Sequence, residues 1–111
     1  PRVLVCGAGP DVEPVTAWGA ALGWHVTVVD HRPAYVDAAR FPTARGVRRL
    51  AADELARELD LSRFDAAVVM SHHLVADGHF LAALAQSPVP DVGLLGPAAR
   101  RERLFAEIGP A

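Results

Sequence analysis

The chain has 111 residues, 51% of them apolar and 22% charged, the balance of one globular domain with its own core. Eleven basic and thirteen acidic residues leave a net charge of -2, so no overall field draws it to nucleic acid or to an anionic membrane surface. Every basic side chain is arginine, which excludes lysine Schiff-base chemistry and a phosphate-loop lysine.

Residues 2–6 form an unbroken apolar run after Arg2, long enough for a buried parallel strand, and Gly7-Ala8-Gly9 then turns the backbone sharply. A helix is expected over 11–22, with Asp11 as its cap, Pro14 in its first turn and Val12, Val15, Gly19 and Leu22 along the inner face. Gly23 closes it, and a second strand over 25–29 delivers Asp30 to its carboxyl end.

From His31 to about Pro42 the prolines break any continuous helix. A short strand over 46–50, a helix over 53–59 and a strand over 64–70 follow, the last ending in Ser71-His72-His73. A helix over 77–86 with Phe80, Leu81 and Leu84 inward, a strand over 92–95, and a helix opening at Gly96-Pro97 and stopping at Gly109 complete the chain. This alternation predicts a Rossmann-like three-layer α/β/α fold around a parallel five-stranded sheet of order 3-2-1-4-5.

In such sheets ligands bind beyond the carboxyl ends of the strands, where the strand order reverses, here between the first and fourth strands. The candidate cofactor-binding residues are therefore Gly7, Ala8, Gly9, Asp30, Arg32, Ser71, His72 and Gly96, with no catalytic residue or metal ligand assigned.

The dinucleotide pattern is only partly met. Gly7 and Gly9 occupy the first two glycine places, Val12 the third, and Asp30 lies where a ribose 2′-hydroxyl acceptor is expected. Against a bound pyrophosphate stand Pro10, which removes a donor, and the negative charges of Asp11 and Glu13. Two readings of the glycines remain: close approach to a phosphate, or a tight strand-to-helix turn. Asp30 is either a ribose acceptor or a strand-end residue bonded to nearby backbone.

His72, His73, Asp77 and His79 are the one cluster with ligand chemistry. Adjacent His72 and His73 cannot both enter one site from a regular strand, so a single contact from His72 or a helix-cap role is favoured over metal binding. Cys6, within the first strand, is expected to be a small buried core residue. Arg100, Arg101 and Arg103 form either a solvated face or an anion contact.

The ordered run Val5-Cys6-Gly7-Ala8-Gly9-Pro10-Asp11, Pro14, Val26-Thr27-Val28-Val29-Asp30-His31-Arg32-Pro33 and Ala39-Arg40-Phe41-Pro42 resembles the carboxyl-terminal Rossmann domain of xanthine dehydrogenase accessory proteins, the XdhC/CoxI family. Val69-Met70-Ser71-His72, Asp77 and Gly93-Leu94-Leu95-Gly96-Pro97 are similar to further segments of that family, while Pro10, His73 and Ala98 depart from its pattern.

The resemblance implies a maturation factor that binds the molybdenum cofactor (molybdopterin) and hands it to a molybdenum hydroxylase of the xanthine dehydrogenase type. An NAD(P)-binding domain of an oxidoreductase or nucleotide-sensing regulator is the alternative, and the third reading is a scaffold that pairs with its own copy, as a homodimer, or with the target enzyme, through the sheet edge or the last helix. Neither nucleic acid nor a membrane is an expected partner. A single cysteine, no spanning apolar run and no leader pattern point to the cytoplasm, and the start at Pro1 to a piece of a longer protein.

Overall fold

The computed structural model describes residues 1–95. The expected last helix, with Gly96, Arg100, Arg101, Arg103 and Gly109, lies outside the described residues.

Five parallel strands form one sheet: β1 (Arg2–Cys6), β2 (His25–Asp30), β3 (Gly46–Arg49), β4 (Ala66–Val69) and β5 (Asp91–Leu94), in the order β3-β2-β1-β4-β5. β1 is central, pairing Val3 with Val26 on one side and with Ala66 on the other. Because helices cover both faces, β1 is apolar on both. Val3 and Val5 pack with Val12, Val28, Phe41 and Met70, whereas Leu4 and Cys6 pack with Leu55, Val69, Phe80 and Leu84 on the opposite face.

Helix α1 (Val12–Ala21) covers the first of these faces; α2 (Leu55–Glu58) and α3 (Leu74–Ala85) cover the second. Val12 and Gly19 are buried as expected, but Leu22 is exposed, because the helix ends before it and Gly23 (φ +85°) turns the chain away. The helix expected over 53–59 is a 3₁₀ turn, Ala52–Glu54, followed by one turn of α2.

Helix α3 begins three residues before the expected start. His73 caps it, with Nδ1 accepting from the Ala76 N–H at 3.3 Å, and Asp77 is then a first-turn residue facing inward. Histidine is not among the usual capping side chains, so pattern alone points past it. No helix among the described residues is long and apolar enough to cross a membrane.

Candidate functional site at the carboxyl rim of the sheet

Gly7 is fixed by the fit between strands. Its N–H donates to the Val29 carbonyl at 2.7 Å, its φ is +138°, and an added Cβ would lie 2.7 Å from the backbone of Met70 and Ser71. Only glycine allows the chain to leave β1 so close to the end of β4. Gly9 is different: a Cβ there would meet only the Asp11 carboxylate, at 3.0 Å.

Asp30, fully buried, ties this loop to β2. Oδ2 accepts from the Ala8 N–H at 2.8 Å and Arg32 Nη2 at 2.9 Å; Oδ1 accepts from the Arg32 N–H at 2.8 Å and Nε at 3.0 Å. Four donors fill the acceptor capacity of a carboxylate. A ribose hydroxyl can therefore reach Asp30 only where Arg32 withdraws, and of the two sequence readings the bonding to nearby groups is the one this arrangement contains. Burial pushes the Asp30 carboxyl up, but the Arg32 side chain, then the backbone N–H groups of Arg32 and Ala8, outweigh it and hold the group below its ordinary value.

Arg32 spans the mouth. Nη2 also donates to the Ser71 carbonyl at 3.1 Å, its guanidinium lies 3.9 Å from the centre of the Tyr35 ring, and Nη1 makes no hydrogen bond among the described residues. Beside it, His31 Nδ1 is 3.4 Å from Asp30 Oδ1 and its ring meets that of His73 edge-on at 5.2 Å.

On the β4 flank the Ser71 N–H donates to Asp77 Oδ1 at 3.0 Å, and the Ser71 hydroxyl donates to the same oxygen. His72 adopts φ +60°, a left-handed conformation uncommon outside glycine, and so turns outward while His73 turns to its helix. Its Nε2 reaches Asp11 Oδ2 at 2.5 Å across the mouth. Asp11 therefore serves as a partner to His72 rather than as a side-chain cap, and accepts nothing from the first turn of α1.

Seven of the eight candidate residues thus surround one rim. Sequence reasoning missed three contacts there: Arg32 on Asp30, Tyr35 beneath Arg32, and Glu13 paired with Arg40 at 3.0 Å. The first had a local signal, an arginine two residues after an aspartate; the last, across 27 residues, had none.

The charges of Asp11 and Glu13, which oppose a bound phosphate, each meet a partner here, His72 and Arg40. The N–H groups of Gly9 and Asp11 make no hydrogen bond among the described residues. Backbone donors at a helix start beside an arginine suit a phosphate. Cys6 lies beneath, fully buried; burial, then the charges of Asp77 and Asp30, push its thiol up, which keeps it un-ionised and unreactive. No three His, Cys, Asp or Glu side chains among the described residues are placed to hold a metal ion.

The model of the XdhC Rossmann domain matches residues 3–110. The chain belongs to this family, the Rossmann domain of xanthine dehydrogenase accessory proteins. It is 36% identical over 106 residues to a Bacillus subtilis (strain 168) protein described as a probable subunit of xanthine dehydrogenase, covering 96% of this chain and 32% of that protein.

A crystal structure described as a xanthine dehydrogenase from Bacillus halodurans superposes with a TM-score of 0.88 at 28% identity, over 98% of this chain and 34% of that one. The XdhC domain described here spans about a third of the length of these relatives. A cinnamyl alcohol dehydrogenase from Sorghum bicolor shares the fold, with a TM-score of 0.52 at 16% identity over 99% of this chain and 39% of that one.

Proposed function

We propose that this XdhC domain holds the molybdenum cofactor at the rim between β1 and β4, as part of a maturation factor that delivers it to a molybdenum hydroxylase of the xanthine dehydrogenase type. The observation that carries the reading is the set of donors left at the mouth: the N–H groups of Gly9 and Asp11 and Nη1 of Arg32. They suit the phosphate of a phosphorylated pterin. The cofactor supplies the metal centre that the receiving enzyme uses.

The residues of this chain bind and orient. Asp30 holds Arg32 and the Ala8 N–H, so the loop and the guanidinium keep one geometry. Tyr35 backs the guanidinium, and the Asp11–His72 pair spans the far side of the mouth. NAD(P) is the less favoured ligand, because Arg32 occupies both oxygens of Asp30 and Pro10 removes a loop donor.

Anaerobic titration of the chain with molybdopterin, followed by pterin fluorescence, tests this. Saturable 1:1 binding is expected, weakened about tenfold or more in Gly9→Asp, which adds a negative charge beside the loop donors without backbone strain. Absence of binding, or a rise in melting temperature with NAD or NADP instead, overturns the reading.

A further inference from the structure

The outer face of α1 is built like an inner one. Pro14, Ala17, Trp18, Ala21 and Leu22 recur at the spacing of a helical stripe, and all five are exposed. Trp18 is 70% exposed and Leu22 67%, whereas Trp24 (38%), just past the helix, lies against the inward side of Gly19.

The more exposed of the two tryptophans of the chain therefore sits on this surface. With Val12, Thr16 and Gly19 packed inward, the helix is apolar nearly all round, a pattern of helices covered on both sides. From residue 14 to residue 29 there is no Asp, Glu, Lys or Arg.

We propose that this face is a self-association surface, and that its occupant is the same face of a second copy of the chain. Three observations favour a copy. An isologous contact sets each residue against its own kind across a two-fold axis, so a charged face repels itself; this one carries no charge.

The stripe also alternates large and small. Trp18 and Leu22 project while Ala17 and Ala21 leave gaps, so antiparallel helices seat the projections of one copy in the gaps of the other. Lastly, a tryptophan offers about 150–250 Å², so the exposed parts of this stripe amount to roughly 400 Å² per copy. Two copies remove about 800 Å² from water, the size of a small, transient interface, which makes the dimer weak and concentration-dependent. This surface is neither the sheet edge nor the last helix, and the inference is independent of what the rim binds.

Sedimentation equilibrium of the 111-residue chain, from about 2 to about 200 µM, tests it. The mass is expected to rise from monomer towards dimer, and the tryptophan emission to move to the blue over the same range. Leu22→Glu and Ala21→Glu, both at exposed positions, are expected to weaken association at least tenfold and abolish the emission change, with the circular dichroism spectrum and melting temperature retained. A monomer at every concentration, a dimer indifferent to both substitutions, or a face that captures a different polypeptide but not its own copy overturns the proposal.

Discussion

Two buried aspartates flank the mouth of this domain, and they are held by different means. Asp30, at the end of β2, takes two guanidinium donors from Arg32 and two backbone N–H groups, one of them from the loop after β1. Asp77, in the first turn of α3, takes the N–H and the hydroxyl of Ser71, six residues earlier. The β2 flank is a charged lock that joins separate elements; the Ser71–Asp77 bonds on the β4 flank organise a local turn. On the β2 side Arg32 Nη1 makes no hydrogen bond among the described residues, so under the proposed function that flank is the seat of recognition and the β4 flank its frame.

The largest disturbance is expected where the two flanks touch. Gly7→Ala drives a Cβ into the backbone of Met70 and Ser71 and strains a φ of +138°, so a loss of about 3–5 kcal/mol in urea unfolding is expected. Gly9→Ala, in the same motif, should lose less than about 1 kcal/mol, since only a movable carboxylate lies near. Equal losses would show that the motif acts through the turn rather than through the strand contact.

Arg32→Ala removes the cation from a buried carboxylate, and about 2–3 kcal/mol of stability should go with it. Arg32→Lys should restore only part, since an ammonium cannot make the forked contact. The pH profile separates the two flanks further. Asp30 ionises more readily folded than unfolded, so the unfolded chain binds more protons in acid. The stability from the lock is present above the unfolded value of 3.8 and falls as pH drops through the lower folded value. Arg32→Ala should flatten this acid-side slope; an unchanged slope would remove the lock from the account.

Ser71→Ala, on the other flank, deletes the hydroxyl bond to Asp77 but keeps the backbone one, and a loss of about 1 kcal/mol is expected. The smallest effect is at His72. The Asp11 pair is half-exposed and contributes about 0–1 kcal/mol, while the left-handed φ of +60° favours glycine by a similar amount. His72→Gly should therefore match the parent in stability and exceed His72→Ala, a difference that thermal unfolding of the three proteins measures.

Much of this architecture is legible in the sequence. Apolar runs alternating with helical spacing, together with the handedness of parallel crossovers, determine the sheet order and hence the rim at which Gly7, Asp30 and Ser71 meet. Those signals are local or topological, and they survive errors of a few residues at element ends, such as the early start of α3 at Leu74. The family resemblance is legible for the same reason, in short segments kept in order.

What each side chain at the rim does was decided only by the tertiary structure. Asp11 has the position of a helix cap and instead meets His72, 61 residues away; Glu13 stands where it would oppose a phosphate and instead meets Arg40, 27 residues away. Leu22 has the spacing of an inner-face residue yet faces outward, because the helix stops just before it. The physical reason is range. Periodicity and turn chemistry act over a few residues and are written in the chain itself, whereas the partner of a charged side chain is whichever group the folded backbone brings within about 3 Å.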